Sequence, residues 1–206
     1  HVHRRRSGHR GGVRARGVTY EAWIGRETRA EDHLDEGLAD RWLATFDLPR
    51  PHPAIMPQGI HFALCTPEAP TAKLGEDGHQ ARDESADSFL PPLPMPRRMW
   101  ASSKVEFHAP LHPGADVTRT SRVASITDKQ GGSGRLVFVE VEHETHTASG
   151  LAVREVQSIV YRDAAAPGTP PAPPPLGEGQ FDPAPWDAHR ALTPAEPLLL
   201  RFSALT

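Results

Sequence analysis

Residues 104–161 alternate apolar and polar side chains over most of their length, and this pattern constrains the fold more than any other feature of the chain. Within it, Val137, Val139 and Val141 fall on one side of an extended backbone, and glutamates fall on the other. Several such segments, joined by short turns, predict an antiparallel meander of β-strands. A meander needs another layer of structure on its apolar face, so the sequence predicts an α+β fold.

Three turns divide this stretch. They are predicted at residues 111–114, 128–134 and 148–150, which are rich in glycine and other turn-forming residues. In the segment between the first two turns, Val123 and Ile126 fall on opposite phases of the alternation. A change of phase inside a strand predicts a β-bulge or a bend there.

The covering layer is predicted to be a helix over residues 30–46 that packs on the Val137, Val139 and Val141 face. Glu31 and Asp32 suit the positive end of its dipole, and a proline that follows suits its end. Its apolar stripe has the i, i+4 spacing of an amphipathic helix and consists of Leu34, Leu38, Trp42 and Phe46.

The ends of the chain differ in composition from residues 18–162, which we predict to be one domain. Residues 1–17 contain six arginines and no acidic residue, and are expected to be a disordered basic tail; the alternative is an arm for nucleic acid, which nothing else in the chain supports. Residues 163–185 contain eight prolines and are predicted to be a linker. Residues 198–206 are interpreted as the first strand of another domain, which begins at residue 186.

The cysteine content and the hydropathy pattern favour a cytoplasmic location. Cys65 is the single cysteine, so the chain has no internal disulfide, as is usual in a reducing compartment. The sequence contains no apolar run approaching the roughly 18 residues that cross a membrane. We therefore expect neither a membrane nor a nucleic acid as a partner.

Residues 97–100 contain the best candidate binding cluster. Arg97 and Arg98 next to Trp100 suit a nucleotide phosphate and ring, although two surface arginines and a core tryptophan would give the same pattern. His143 and His146 fall three apart on a predicted strand and so point to opposite faces, which excludes a shared metal. The sequence indicates no metal site and no cofactor.

Several separate segments, in order, resemble one family. They include Phe-Leu-Pro-Pro-Leu-Pro-Met-Pro-Arg-Arg-Met-Trp at 89–100 and Val-Glu-Phe-His-Ala-Pro-Leu at 105–111, followed by matches at 117–122, 134–139 and 157–162. These residues resemble the N-terminal half of MaoC-like acyl-CoA hydratases of the 3-methylfumaryl-CoA (mesaconyl-CoA) hydratase type, related to hydroxyacyl-thioester dehydratases. The resemblance extends from about Tyr20 to Thr206.

The resemblance implies a double hot-dog fold, in which each half is an antiparallel sheet wrapped on a helix. This chain would be the N-terminal half, with a truncated second half starting at residue 186. The implied activity is hydration of an enoyl-CoA thioester by a hydro-lyase. The implied partner is a second, catalytic hot-dog domain or a further copy of the chain.

The family's catalytic His and Asp lie in a motif like Phe-Asn-x-His-Arg-Ile-His-Tyr-Asp, which is expected beyond Thr206. The chain alone is therefore expected to be inactive, with Arg97, Arg98 and Trp100 contributing to substrate binding. An acid/base role for Glu31, Asp32 and His33 at the helix start is the alternative site. Two other functions stay open: a stand-alone acyl-CoA- or lipid-binding subunit that pairs with a catalytic chain, and an inactive truncated fragment.

Overall fold

A five-stranded antiparallel sheet forms the centre of the molecule, and its strands lie side by side in the order β3 (Glu27–Leu34), β5 (Ala115–Gly131), β6 (Gly134–Thr147), β7 (Gly150–Arg162) and β4 (Arg97–Phe107). The structure is a computed structural model, and it describes residues 14–15, 18–50, 55–75, 78–131, 134–164, 168 and 182–206. Short 3₁₀ turns occur at Tyr20–Trp23, Ile60–Ala63 and Thr71–Lys73. The strands and helices are β1 (Arg14–Ala15), β2 (Val18–Thr19), β3 (Glu27–Leu34), α1 (Glu36–Thr45), β4 (Arg97–Phe107), β5 (Ala115–Gly131), β6 (Gly134–Thr147), β7 (Gly150–Arg162) and α2 (Glu196–Ser203).

The predicted meander is confirmed, and its strands are longer than the sequence suggested. The loop predicted at 128–134 is wrong in extent, because β5 continues to Gly131 and β6 begins at Gly134. Residues 132–133 between them lie outside the described residues. The predicted bulge is confirmed, since the pairing of β5 with β6 shifts between Val123 and Ser125.

The helix predicted over residues 30–46 is wrong in its first part. Residues 27–34 form β3, which pairs along its whole length with β5, and α1 starts only at Glu36. The side chain of Asp35 caps α1 by accepting a hydrogen bond of 2.7 Å from the backbone N–H of Leu38. Pairing with a neighbouring strand has overridden the helical spacing that begins at Leu34.

The helix also covers a different part of the sheet from the one predicted. Leu38 and Trp42 of α1 pack in one cluster of buried side chains, which includes Val117 and Val153 of the sheet. Val137, Val139 and Val141 belong to a second cluster, covered by Tyr20, Trp23, Leu93 and Met95. Two separate groups of residues therefore cover the apolar face of the sheet, where the sequence predicted a single helix.

The strand predicted at 198–206 is wrong. Glu196 and Pro197 start α2, because proline suits the first turn of a helix, where its missing N–H is not needed. Phe202 of α2 packs against the rings of Trp42 and Phe46. In the described part of the chain no helix is long and apolar enough to cross a membrane.

The predicted tail and linker fall almost entirely on residues that the structure does not describe. Within residues 1–17, only Arg14 and Ala15 are described, and they pair with Val18 and Thr19. Most of the predicted linker at 163–185 lies outside the described residues, and its role stays a prediction.

Candidate functional site

A row of polar side chains crosses the inner face of the sheet, which is the face that α1 and the Ile60–Ala63 turn cover. Ser121, His143 and Glu155 are direct register partners on β5, β6 and β7. The Ser121 hydroxyl lies 2.7 Å from Nδ1 of His143. Ser121 and Glu155 are both buried. This polar row separates the two apolar clusters of the core.

His61 covers the row from the Ile60–Ala63 turn. Its side chain is 5% exposed, and its Nε2 lies 3.8 Å from a carboxylate oxygen of Glu155. The ring packs 4.1 Å from that of Phe62 and 5.7 Å from that of Phe107, measured between centroids. Neither ring nitrogen has a hydrogen-bond partner among the described residues.

The segment that carries His61 is fastened to the sheet on its C-terminal side. The Asp32 carboxylate on β3 accepts a hydrogen bond of 2.6 Å from the backbone N–H of Cys65. The guanidinium of Arg119 on β5 donates to the carbonyl oxygens of Leu64, at 3.1 Å, and Cys65. Asp32, predicted as one of an acid/base pair, therefore positions the loop that holds His61.

Burial controls the charge state of this group. It lowers the pKa of His61 to about 4, with a further contribution from the nearby positive charge of Arg119. The pKa of His143 is likewise lowered to about 4, by burial and then by Arg119. Burial raises the pKa of Glu155, against the effects of its hydrogen bond from Ser103 and the charge of Arg119. Both histidines are therefore neutral at pH 7.

A cavity of about 290 Å³ opens beside His61. Its walls come from the segment before His61, from the end of β4 and the residues after it, and from Val153 on β7. The apolar side chains among them include Met56, Ile60, Phe107 and Leu111. Apolar walls with one polar group at a buried point are typical of small-ligand sites.

The three predicted binding residues lie on the edge strand β4. Trp100 is 52% exposed, which rules out the core position considered for it. Its indole N–H donates to the Ser103 hydroxyl at 3.0 Å, and Ser103 in turn donates to Glu155, so Trp100 is linked to the polar row. Its ring also lies 5.5 Å from that of Phe62.

The two arginines do not form a pair. Arg98 is the register partner of Tyr161 and hydrogen-bonds to its side chain. Arg97 is exposed, and as the next residue along the strand it points to the opposite face. Only Arg98 therefore shares a face with Trp100, and the binding role of all three residues stays a prediction.

The structure does not bring Glu31, Asp32 and His33 together as an acid/base site. Glu31 makes an exposed ion pair with Arg29 at 3.1 Å, and His33 Nδ1 lies 2.7 Å from an Asp116 carboxylate oxygen in another exposed pair. In the part of the chain that the structure describes, no three His, Cys, Asp or Glu residues are grouped to hold a metal ion.

Sequence reasoning missed His61, Glu155 and their neighbours. A signal was present, because His143 continues the apolar phase of Val139 and Val141, and Glu155 continues that of Val153. Polar residues on the buried phase of a strand indicate a site inside the fold. His61 itself carried no signal, because only the tertiary fold brings its turn to the sheet.

An antiparallel sheet packed on a single α-helix, with a ligand-sized cavity at its edge, is the hot-dog arrangement. The model of the hydroxyacyl-thioester dehydratase type 2 family matches residues 59–206, and the chain belongs to that family. The mesaconyl-C(4)-CoA hydratase of Chloroflexus aurantiacus is 38% identical over 188 residues, which are 90% of this chain and 64% of that protein. The chain thus spans less than two thirds of that relative's length.

Solved structures similar to this chain include the ChsH1–ChsH2 complex of Mycobacterium tuberculosis, with a TM-score of 0.48, 14% identity and coverage of 69% of this chain and 86% of the other. A second is the MaoC-like dehydratase of Rhodospirillum rubrum, with a TM-score of 0.39, 14% identity and coverage of 69% and 94%. A third is the (R)-hydratase of A. caviae, with a TM-score of 0.39, 12% identity and coverage of 68% and 96%.

Proposed function

We propose that this chain supplies the non-catalytic N-terminal half of a hydro-lyase that adds water to an acyl-CoA thioester of the mesaconyl type. The observation that carries the proposal is the 38% identity with a mesaconyl-C(4)-CoA hydratase, which extends over 90% of this chain. Membership of the hydroxyacyl-thioester dehydratase type 2 family supports the same class of reaction.

The cavity beside His61 supports an acyl group as the ligand. Its volume of about 290 Å³ suits a short acyl group and is too small for coenzyme A as well. The coenzyme would then lie outside, towards β4, where Trp100 presents an exposed ring. Arg98, which shares a face with Trp100, and Arg97, on the opposite face of the same edge strand, are proposed to meet its phosphates from the two sides, since guanidinium groups bind phosphate through paired hydrogen bonds.

The catalytic groups are proposed to come from a second hot-dog domain. Hydration of an enoyl thioester needs a general base for water, and hydrogen-bond donors for the enolate oxygen. The His and Asp that the family resemblance assigns to these steps are expected in sequence outside the 206 residues. That domain would be part of the same longer polypeptide, or of a separate chain that pairs with this one. A cytoplasmic location belongs to the proposal, on the ground that Cys65 is a free thiol.

The test is turnover of mesaconyl-C4-CoA by the purified 206-residue chain, followed by the loss of absorbance of its double bond. The chain alone is expected to be inactive, because base and oxyanion donors together supply many orders of magnitude in rate. Adding the second hot-dog domain, fused or as a separate chain, is expected to restore hydration.

The two arrangements, one longer polypeptide and two paired chains, are distinguished by whether the second domain restores hydration when fused or when added separately. Restoration only by fusion supports one longer polypeptide, and restoration by a separate chain supports a paired subunit. Rapid hydration by the 206-residue chain alone would contradict the proposed division of roles. Loss of that activity on changing Glu155 to Gln, but not on changing the exposed Glu31 to Gln, would move the chemistry into this domain.

A further inference from the structure

Three buried side-chain nitrogen or oxygen atoms lack a hydrogen-bond partner among the described residues, and all three are nitrogens of two residues. They are Nδ1 and Nε2 of His61 and Nε of Arg119. Leaving a buried donor unpaired is costly, so proteins rarely keep one that serves no purpose. Neutral His61 has one ring N–H and one acceptor nitrogen, so its N–H and the Nε–H of Arg119 are the two donors that lack an acceptor.

The cavity gives such a group access to His61. The His61 side chain is 5% exposed, yet it is among the residues that line the cavity. Among the other lining residues, Ile60, Phe107 and Val153 are apolar, and the polar residues Gln58 and His108 are exposed. A ligand that fills the cavity with an apolar chain would bring only its polar end to His61.

The charge around His61 favours a negatively charged ligand atom. Arg119 is close enough for its positive charge to act on both His61 and Glu155. Two of its nitrogens donate to the carbonyl oxygens of Leu64 and Cys65, which carry no net charge. A carboxylate next to His61 would gain a hydrogen bond from a ring N–H and the attraction of the Arg119 guanidinium.

We propose that His61 binds the free carboxylate of an acyl-CoA thioester whose acyl group ends in a carboxyl group, and selects it over uncharged acyl groups of the same length. This rests on the proposed function in so far as the ligand is an acyl thioester. A dicarboxylic acyl group joined to coenzyme A at one end has such a free carboxylate at the other. His61 acts here as a specificity-determining residue, and Arg119 supplies the compensating charge.

Glu155 is the one group beside His61 that opposes a second carboxylate. Its Oε2 lies 3.8 Å from His61 Nε2. Burial favours the neutral form of this side chain, which also accepts a hydrogen bond from the Ser103 hydroxyl. Changing Glu155 to Gln removes the possibility of a negative charge at this position and should therefore favour a bound carboxylate.

The test compares the affinities of the 206-residue chain for succinyl-CoA and butyryl-CoA by isothermal titration calorimetry. Both acyl groups have four carbons and no double bond, so neither is hydrated and only the terminal carboxylate differs. We expect a preference for succinyl-CoA of about tenfold or more, the size of one hydrogen bond to a charged group. The ratio of the two dissociation constants is the quantity that decides.

Three variants locate the preference. His61→Phe keeps a ring of similar size without N–H groups and is expected to reduce the ratio to about one, as expected when the hydrogen bond is lost. His61→Gln keeps a donor and is expected to retain part of the preference. His112→Phe makes the same change at an exposed histidine outside the cavity and should leave the ratio unchanged. Melting temperatures confirm that each variant is folded.

Equal affinity of the unaltered chain for the two thioesters, or binding of neither, would overturn the proposal. An unchanged ratio in His61→Phe would do so as well. Glu155→Gln is expected to raise the affinity for succinyl-CoA only; a fall would assign recognition to Glu155 instead. If the second hot-dog domain fails to restore hydration while the preference is intact, the result counts against the proposed function alone. If hydration is restored but the preference is absent, the result counts against this site alone.

Discussion

Trp42 is the large side chain through which α1 joins the core. It is 4% exposed, and its ring centroid lies 5.0 Å from that of Phe46 and 6.0 Å from that of Phe202. Changing Trp42 to Ala removes these contacts and leaves a cavity, so we expect a loss of about 3–5 kcal/mol in the free energy of unfolding. Urea denaturation measures this loss. Trp100→Ala is the control, because Trp100 is 52% exposed, and an equal loss in both variants would contradict the packing described.

His61 and His143 make the stability depend on pH. Their pKa values are lowered from 6.5 to about 4 in the folded protein, chiefly by burial. As the pH falls below 6.5, the unfolded chain takes up protons that the folded one does not, so stability falls between pH 6.5 and pH 4 and is unaffected by these groups above 6.5. The full effect is on the order of 3 kcal/mol for each histidine.

Denaturant titrations at a series of pH values between 7 and about 4.5 test this linkage. His61→Phe removes one of the two groups, so its stability relative to the unaltered chain is expected to rise as the pH falls. His112→Phe is the control for placing phenylalanine at a histidine position. A constant difference between His61→Phe and the unaltered chain across this range would show that His61 is not held neutral.

At the scale of single elements, local sequence patterns gave correct predictions where the structure of a strand or turn depends on its own residues. The alternation around Val137, Val139 and Val141 predicted β6, and the phase change between Val123 and Ile126 predicted the bulge in β5. Both signals depend only on which face a residue must present. These two signals therefore do not depend on which strands pair with β5 and β6.

Predictions from local patterns were wrong where pairing with a neighbouring strand determines the structure. Leu34 is fully buried, as the predicted stripe required, but it is the last residue of β3 rather than part of a helix. Its spacing from Leu38 matches a helical repeat by coincidence, and pairing with β5 determines the outcome. Asp35, a good capping residue, marked the true start of α1 in the sequence.

The candidate site divides in the same way. Trp100, whose binding role stays a prediction, could be proposed from the sequence because an aromatic residue next to arginines is a local feature. The row of Ser121, His143 and Glu155 depends on the register of three strands, and His61 depends on a turn that packs on them from elsewhere. A single sequence contains the residue types of this site but not the register that assembles them.

At the scale of the whole molecule, the polar row lies where two apolar clusters meet. One cluster is built around α1 and the other around Tyr20, Trp23 and the strands near Val139. The indole N–H of Trp23 reaches across to the backbone oxygen of Ser88 at 3.0 Å, which ties the second cluster to the irregular segment before β4. The side chains of His61 and Glu155 thus belong to neither apolar cluster, and the proposal that they meet a ligand rests on this position between the two.

The helix α2 belongs to the stretch predicted to begin a second domain. Phe202 is half-buried against Trp42 and Phe46 of the first domain, with ring centroids 6.0 Å away in both cases. Phe202→Ala is therefore expected to lower the free energy of unfolding by about 1–2 kcal/mol, less than for a fully buried phenylalanine. Urea denaturation of the 206-residue chain measures the change.

Leu200→Ala, on the same helix, is the matched control. Leu200 is 72% exposed, so its replacement should change stability by no more than about 0.5 kcal/mol. A loss confined to Phe202→Ala would show that α2 is held on α1 in solution and that residues 186–206 stabilise the first hot dog. Equal, negligible effects of the two substitutions would instead show that α2 contributes nothing to this domain, leaving its apolar side chains for the second one.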